Sequence, residues 1–312
     1  MPQLGLGLAA VGRPAYITAG RDRDLPPGRS RSALGVRSHE LLDRAYAAGI
    51  RYVDAARSYG DAERFLGCWL RERAVEDVFV ASKWGYTYVG DWRVDSERHE
   101  VKSHDLATFE RQLAESRAQL GDRLRLYQVH SVTPDSPLLD DVALLRRLAQ
   151  LRAEGIEVGA STSGARQAEA IRRLLEVTVD GARLVTSVQA TWNLLEPSAG
   201  RALTEAHSAG LRVVVKEAVA NGRLTLPDQD LDPRLVAVAD RHGVGVDAVA
   251  LGAALHQPWC DVVLSGAVTV DQLDANLAAP RVALDDRDAA ELAVLAEPAT
   301  AYWDIRAQLP WA

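Results

Sequence analysis

Cysteine, lysine and long apolar runs are scarce in this 312-residue sequence, and each scarcity argues against a class of protein. Two cysteines, Cys68 and Cys260, are too few for a disulfide-stabilised scaffold, and they are consistent with the cytoplasmic location that we expect. The lack of any run of about 18 apolar residues argues against a membrane-spanning helix. The N-terminal segment has no basic start followed by an apolar run, so we expect no secretory signal peptide.

Acidic residues outnumber basic residues by 43 to 36, which gives a formal net charge of −7. Such a chain lacks the excess positive charge that nucleic acids and anionic membranes attract, so neither is an expected partner. Hydrophobic residues make up 47% of the sequence, which is enough for a sizeable core. Because no linker or low-complexity tract divides the chain, we expect a single domain over residues 1–312 that is a monomer or a weak homo-oligomer.

Only three of the 36 basic residues are lysines, namely Lys83, Lys102 and Lys216, and the rest are arginines. Arginine therefore supplies almost all of the positive charge at the surface. A position that keeps lysine in such a chain is a candidate for a site that needs a compact, titratable ammonium group.

Short apolar runs alternate with segments of helical periodicity along the whole chain. The runs predict strands at Leu4–Leu8, Ile50–Asp54, Val78–Ser82, Leu124–His130, Ile156–Ala160, Leu184–Gln189, Leu211–Lys216 and Asp261–Leu264. The intervening segments predict helices at Ser38–Ala48, Ala62–Arg73, Leu106–Leu120, Leu138–Glu154, Arg166–Glu176, Ser198–Ala209, Pro233–Leu255 (broken at Gly243 and Gly245) and Val270–Ala279. Eight such repeats predict an α/β fold of the (β/α)8 TIM-barrel type.

A doubly wound sheet is the alternative fold. The residues GLGLAA at 5–10 match the glycine fingerprint of dinucleotide-binding folds in form. That fingerprint requires a complete strand before its first glycine, and only four residues precede Gly5. The barrel is therefore the preferred interpretation.

Three long segments without clear periodicity occur at residues 12–36, 84–104 and 297–312. The first two follow predicted strands and so lie on the face where barrel enzymes carry their sites. We expect the loop at 84–104 and the C-terminal tail to cover that face. Trp84, Tyr86, Trp92 and Trp303 are candidate substrate-binding residues there, although each aromatic ring could equally pack its own segment onto the barrel.

Ionisable side chains follow three consecutive predicted strands. Asp54 ends the second strand, Lys83 directly follows the third and His130 ends the fourth, so the three should meet at one rim of the barrel. Tyr59 lies five residues beyond Asp54 and can turn back over the same rim. Each of these residues alone could be structural, but their joint arrangement favours a catalytic site.

These groups suit proton donation to a carbonyl oxygen. A phenol with a pKa of about 10 is a weak acid at neutral pH unless a cation stabilises its phenolate, and Lys83 could supply that charge. Asp54 would hold Lys83 in place, and His130 would orient the substrate oxygen. We expect no metal site, because His99 and His104 are one residue too far apart for the H-E-x-x-H motif.

The sequence around these residues resembles a known family. The residues DAARSYGDAE at 54–63, SK at 82–83 and QVH at 128–130 are similar to the motifs of the aldo-keto reductases, and the resemblance extends over about Leu4 to Ala279. It implies an NAD(P)(H)-dependent oxidoreductase that acts on an aldehyde, ketone or sugar-like carbonyl. It also implies that Tyr59 is the general acid and base.

The same resemblance implies how a nicotinamide cofactor would be held. Ser161 and Gln189 correspond to residues that bind the carboxamide, and Thr162 stands where the family usually has asparagine. Gly222 and Leu224 correspond to the loop over the pyrophosphate.

At the adenosine end, the resemblance assigns Ser265, Gly266, Ala267 and Asn276 to the cofactor. Gln272 occupies a position where an arginine for the adenosine phosphate is expected. The family resemblance thus implies NADP(H), while the missing arginine makes NAD(H) an open alternative.

Lys216 stands where the family usually has an aromatic residue against the nicotinamide, and we hypothesise that it reaches the pyrophosphate. Two other functions are compatible with the residues. A Schiff-base lyase or aldolase could use Lys83 or Lys216, although a carboxylate beside Lys83 would keep that amine protonated. A non-enzymatic, nicotinamide-binding redox sensor is the third alternative.

Overall fold

The computed structural model of the protein describes residues 3–19, 24–25, 28–225 and 231–311. The remaining residues of the predicted loop at 12–36 and Ala312 of the predicted tail lie outside this set. Among the described residues, no helix combines the length and the apolar character needed to cross a bilayer.

Eight parallel strands form a closed barrel in which each strand pairs with the next and the last pairs with the first. They are β1 (Gln3–Gly7), β2 (Tyr52–Asp54), β3 (Phe79–Trp84), β4 (Leu124–Val132), β5 (Glu157–Thr162), β6 (Ser187–Thr191), β7 (Arg212–Lys216) and β8 (Val262–Ser265). The closed order confirms the predicted (β/α)8 barrel and excludes the doubly wound sheet. Gly5 lies inside the barrel, where a Cβ atom would come within 2.9 Å of Leu264 and 3.1 Å of Tyr52.

Helices connect the strands and cover the outside of the barrel. They are α1 (Arg31–Ala47), α2 (Ala62–Glu72), α3 (Leu106–Leu120), α4 (Val142–Ala153), α5 (Gln167–Glu176), α6 (Gly200–Ser208), α7 (Pro233–His242), α8 (Val246–Leu255), α9 (Val270–Asn276), α10 (Asp286–Ala293) and α11 (Ala299–Gln308). The predicted break at Gly243 is confirmed, since Gly243 adopts φ 62° and ends α7.

Two helix starts differ from the prediction by more than two residues. The first helix begins at Arg31 rather than Ser38, because the Ser30 side chain accepts a hydrogen bond from the N–H of Ala33 and caps the extra turns. Gly35 in those turns interrupts the apolar pattern, and it lets α1 approach Phe65 of α2. The fourth helix begins at Val142 rather than Leu138, since a separate 3-10 turn occupies Pro137–Asp140.

The segments expected to be irregular contain regular structure. Residues 84–104 include an antiparallel hairpin, Tyr86–Tyr88 with Glu100–Lys102. The tail at 297–312 includes the helix α11, and a second hairpin pairs Thr178–Val179 with Ala182–Arg183. The loop and the tail meet where Trp311 stacks on His99 at 4.4 Å between ring centroids.

The barrel interior is arranged in layers, because residues two apart on a strand face the same side. A buried apolar cluster fills one layer with Tyr52, Ala81, Leu126, Val214, Val262 and Leu264. The larger core cluster lies mainly between the strands and the helices. On β2, β3, β4 and β7 the residue two positions after this apolar layer carries a polar side chain, whereas β8 continues from Val262 to the apolar Leu264.

Candidate active site

The polar layer lies two residues beyond the apolar layer on three neighbouring strands. Asp54 follows Tyr52 on β2, Lys83 follows Ala81 on β3, and Gln128 follows Leu126 on β4. Lys83 and Gln128 are register partners, and the three polar side chains are almost completely buried. Strand alternation therefore places an ion pair inside the mouth of the barrel.

Lys83 and Asp54 form this buried ion pair. The Lys83 ammonium donates to Oδ1 of Asp54 and, at 3.0 Å, to the carbonyl oxygen of Ala55. Oδ2 of Asp54 accepts hydrogen bonds from the amides of Gln189 at 3.0 Å and Gln128 at 3.3 Å. Both oxygens of the Asp54 carboxylate are thus hydrogen-bonded, and Lys83 has a fixed position beneath the site.

Tyr59 closes the mouth from the loop between β2 and α2. Its hydroxyl lies 3.4 Å from Nε2 of His130, and its ring centroid lies 4.9 Å from Nζ of Lys83. The Lys83 ammonium therefore lies against the Tyr59 ring, while His130 is the hydrogen-bond partner of the hydroxyl. Gly60 makes the return turn with φ 59°, and a Cβ there would lie 2.6 Å from the carbonyl oxygen of Gly12.

The acidity of Tyr59 differs from the expectation. Burial raises the pKa of the Tyr59 phenol well above its ordinary value of 10, and the Asp54 carboxylate raises it further. The Arg13 guanidinium acts in the opposite direction. Without ligands, Tyr59 is therefore a protonated phenol at neutral pH rather than a phenol with lowered pKa.

Arg13 is a second cation beside Tyr59, and sequence reasoning missed it. Its Cζ lies 5.3 Å from the Tyr59 ring centroid and 4.8 Å from that of Trp311. The guanidinium donates to the carbonyl oxygen of Ser58 at 2.8 Å and to Glu100 at 2.6 Å. Arg13 is one of many arginines in a segment without periodicity, so nothing in the sequence distinguishes it.

His130 is a neutral imidazole in this environment. Burial lowers its pKa well below 6.5, and the nearby ammonium groups of Lys83 and Lys216 lower it further. Its Nδ1 lies 3.5 Å from the Ser58 hydroxyl. Because neutral imidazole has one N–H donor and one acceptor nitrogen, His130 can hydrogen-bond a substrate oxygen without adding charge.

A cleft of about 480 Å³ begins at Asp54 and Tyr59 and continues to Gln272 and Asn276. Eight of the residues predicted to bind cofactor line it: Gln189, Lys216, Gly222, Ser265, Gly266, Ala267, Gln272 and Asn276. Three do not belong to its lining. Ser161 accepts a hydrogen bond from the Ser131 N–H at 2.8 Å, while the Thr162 side chain and Leu224 are buried.

The cleft has the features of an extended ligand site. Asn221 lines it, and its buried Oδ1 has no hydrogen-bond partner among the described residues. A Cβ atom added to Gly266 would meet nothing within 4 Å, so the backbone there is open to an approaching group. At the far end, Gln272 donates to the Asp24 carboxylate at 2.8 Å, and Asn276 contacts the Ser265 hydroxyl at 2.8 Å.

Lys216 lies at the Tyr59 end of the cleft. Its Nζ donates to Oγ1 of Thr191 at 2.6 Å and lies 3.7 Å from the Glu217 carboxylate. Burial lowers the pKa of Lys216 from 10.5 to about 8, although Glu217 raises it. In this arrangement the ammonium contacts Thr191 and Glu217, on the side of the mouth that α11 covers.

Glu217 also binds the C-terminal helix α11. Arg306 donates to both oxygens of its carboxylate, with Nε at 2.9 and 3.1 Å. The charges of Arg306 and Lys216 lower the pKa of Glu217 to about 2 in spite of its burial. Helix α11, which like α10 was not predicted from the sequence, is thus bound to the edge of the site by a buried ion pair.

The four aromatic candidates for substrate binding lie in different places. Tyr86 faces the site, with its ring centroid 5.1 Å from that of His130. Trp303 lies 5.8 Å from Nζ of Lys216. Trp84 is fully buried against Phe109, so the structure assigns it to the core rather than to a substrate pocket.

Trp92 belongs to the loop packing. Its indole N–H donates to the carbonyl oxygen of Arg29 at 2.9 Å, and the Arg31 guanidinium lies 4.6 Å from its ring centroid. None of the four aromatic candidates is among the described residues that line the cleft, and Tyr86 and Trp303 differ from Trp92 in having rings near His130 and Lys216. Of the four aromatic residues, Tyr86 and Trp303 remain the candidates beside the reactive groups.

Comparisons with known proteins identify the family of the chain. A family model described as the aldo/keto reductase family matches residues 35–297. The aldo-keto reductase str7 of Strobilurus tenacellus is 24% identical over 83% of this chain and 80% of its own length. The D-threo-aldose 1-dehydrogenase of a Pseudomonas species is 25% identical over 76% of this chain and 80% of its own length.

The fold also matches solved structures. The holo form of an aldo-keto reductase, AKR11C1 from Bacillus halodurans, superposes with a TM-score of 0.69 at 21% identity, over 95% of this chain and 92% of that chain. At 21% identity the superposition supports the fold alone. The assignment of the chain to a family rests on the family model. Membership favours the predicted oxidoreductase over the lyase and the redox sensor. The chain belongs to the aldo/keto reductase family, and it is an oxidoreductase.

Proposed function

We propose that the protein reduces a small carbonyl compound with a bound nicotinamide cofactor and that Tyr59 donates the proton. The convergence of Tyr59, His130 and the Lys83–Asp54 pair at the end of one long cleft carries this proposal. An extended dinucleotide requires a long cleft that ends at the reacting atoms, and this cleft does so. Its open backbone at Gly266 and the unpartnered Asn221 oxygen fit such a ligand.

The cofactor would supply a hydride to the carbonyl carbon, and the protein supplies the proton and the orientation. Gln189 on β6, Gly222 in the turn after β7 and Ser265 at the end of β8 line the cleft and would hold it. His130 would donate a hydrogen bond to the carbonyl oxygen, beside the Tyr59 hydroxyl. The oxygen would then be polarised before it gains negative charge.

Burial keeps Tyr59 protonated at neutral pH, which is the state that a proton donor in reduction must have. The oxygen of a carbonyl that has accepted a hydride is an alkoxide, whose conjugate acid is about as weak an acid as water. A phenol with a pKa above 10 still protonates such an oxygen readily. The reverse reaction requires the phenolate, which burial and Asp54 disfavour at neutral pH.

The far end of the cleft favours NAD(H) over NADP(H). Among the described residues that line this end, two carboxylates, Asp24 and Asp247, are present and no cation is. An acidic side chain accepts a hydrogen bond from a ribose hydroxyl, whereas a 2′-phosphate needs a cation. Titration with NADH and NADPH tests this, and we expect NADH to bind at least roughly tenfold more tightly.

The substrate class remains broad in this proposal: an aldehyde, a ketone or a sugar-like carbonyl. The relative that is named as an aldose 1-dehydrogenase makes sugar aldehydes a reasonable first group to test. Tyr86 and Trp303 offer aromatic faces on which the apolar side of a sugar ring could pack.

The experiment is turnover of a panel of aldoses, aliphatic and aromatic aldehydes and ketones, each with NADH and NADPH. Consumption of the reduced cofactor that depends on the carbonyl compound supports the proposal. Tight binding of the cofactor without turnover of any panel member contradicts it and favours a sensor. Borohydride trapping of a carbonyl compound on the protein, in the absence of cofactor, would instead favour the lyase.

A further inference from the structure

Among the described residues near Tyr59, one cation shares its carboxylate with another cation. Three close ion pairs lie at this end of the cleft in the described part of the chain: Lys83 with Asp54, Arg13 with Glu100, and Arg306 with Glu217. Lys216 lies near the last pair, but Glu217 already binds Arg306 with both of its oxygens. The mouth of the barrel therefore carries an excess of positive charge at Lys216.

This ammonium has a defined position and little access to water. Lys216 is the last residue of β7, and its register partner Thr191 on β6 accepts the hydrogen bond from Nζ. The Thr191 hydroxyl donates in turn to Glu217 at 2.9 Å. Trp303 covers the group from α11, and only 16% of the Lys216 side chain is exposed.

Lys216 also borders the place where chemistry must occur. It lines the same cleft as Tyr59 and Asp54, and its charge acts on His130. A hydride donor has to meet the carbonyl carbon whose oxygen faces Tyr59, so the redox-active ring must lie at this end. Oxidation changes the charge of a nicotinamide ring from zero to +1, while the rest of the dinucleotide keeps its charge.

From this arrangement we infer that Lys216 sets the redox-state preference of the cofactor site, so that the reduced cofactor binds more tightly than the oxidised one. The inference rests on the proposed function. Lys216 acts through its electric field and takes no part in proton or hydride transfer. The charge of Lys216 would thereby favour reduction of the carbonyl compound and hasten release of the oxidised cofactor.

The size of the effect follows from Coulomb's law. If a unit charge lies about 7 Å from the charged nicotinamide ring, in an effective dielectric of about 20, it changes the binding constant of the cofactor by more than tenfold. Glu217 offsets part of this field, since it lies 3.7 Å from Nζ. We therefore expect the ratio of dissociation constants, oxidised over reduced, to fall roughly tenfold when the charge of Lys216 is removed.

The preference should depend on pH. Burial brings the pKa of Lys216 to about 8, with Arg306 and Lys83 lowering it and Glu217 raising it. Below this value the ammonium is charged and the reduced form is preferred, and the preference weakens as the pH rises through it. By reciprocity, binding of the oxidised form releases protons from the protein near pH 8, and binding of the reduced form does not.

The test is calorimetric titration of the full-length protein with NADH, NAD⁺, NADPH and NADP⁺ at neutral pH. Lys216→Met removes the charge, Lys216→Arg keeps it, and Lys102→Met removes a lysine charge outside the cleft. We expect the ratio of dissociation constants, oxidised over reduced, to fall in Lys216→Met and to stay at the wild-type value in the other two variants. Proton release on binding is measured with the wild type alone, by repeating the titration in buffers of different ionisation enthalpy. This measurement does not depend on whether a variant folds.

The possible failures are distinguishable. An unchanged ratio in Lys216→Met, or a wild type that releases no protons on binding the oxidised form, overturns this inference and leaves the proposed function intact. A wild type that binds neither form overturns the proposed function, and the inference with it. A fall in the ratio that occurs equally in Lys102→Met shows that overall charge, and not Lys216, is responsible.

Discussion

The buried Lys83–Asp54 pair allows the structural and catalytic roles of one contact to be separated. Lys83→Met removes the ammonium and leaves the Asp54 carboxylate buried, with only the amides of Gln128 and Gln189 as donors. Breaking a buried ion pair on one side lowers the free energy of unfolding by about 3–5 kcal/mol. The total free energy of unfolding of a protein domain is roughly 5–15 kcal/mol. The variant should therefore be strongly destabilised but still able to fold.

The matched variant combines Lys83→Met with Asp54→Asn. No charge then remains in the pair, and replacing a buried pair by neutral side chains of similar size is close to neutral for stability. We expect most of the lost unfolding free energy to return, while turnover stays at least about 100-fold below the wild type because the Lys83 ammonium no longer lies against the Tyr59 ring. Urea unfolding followed by tryptophan fluorescence measures stability, and cofactor consumption measures turnover.

Two results would refute this reasoning. If the double variant is as unstable as Lys83→Met, an unpaired Asp54 is not the cause of the destabilisation. If the double variant regains the turnover of the wild type, the ammonium of Lys83 is not required for catalysis.

Three further predictions concern the helix α11, the turn at Tyr59 and the far end of the cleft. Glu217 has its pKa lowered from 4.5 to about 2, so it contributes about 3 kcal/mol of stability above pH 4.5 that is lost as the pH falls toward 2. The Arg306→Gln variant should therefore lose less unfolding free energy than the wild type as the pH falls over this range. The same loss in both proteins would contradict the role of the ion pair. Gly12→Ala places a Cβ 2.3 Å from the carbonyl oxygen of Tyr59, so we expect destabilisation by about 1–3 kcal/mol and reduced turnover, and wild-type values of both would contradict the geometry. Gln272→Arg should tighten NADPH binding more than NADH binding in fluorescence titrations, and equal effects would exclude this position from contact with the 2′-phosphate.

Much of the fold and the reactive groups could be predicted from the sequence because both follow strand periodicity. Eight apolar runs with helical segments between them specify the barrel. The same alternation by two places Asp54, Lys83 and His130 on the inward face, so residues distant in sequence converge. The structure adds that Lys83 lies within β3, which ends two residues later than predicted.

The missed features depend on tertiary contacts that leave little local pattern. Helix α11 has no side-chain N-cap and buries only Tyr302, so its sequence has no amphipathic stripe. Its position depends on the ion pair between Arg306 and Glu217 across 89 residues. Trp84 looked like a loop aromatic until the longer β3 placed it in the core. The raised pKa of Tyr59 is likewise a consequence of burial, which sequence does not give directly.

Single-turnover reduction of an active carbonyl compound by Tyr59→Phe tests the central claim most directly. The variant removes one hydroxyl, and Tyr46→Phe is the control, since it removes a hydroxyl that donates to Asp77 away from the cleft. We expect reduction by Tyr59→Phe to be roughly 100- to 10,000-fold slower than by the wild type, with unchanged affinity for the reduced cofactor. A Tyr59→Phe protein that reduces the compound as fast as Tyr46→Phe does would contradict proton donation by Tyr59.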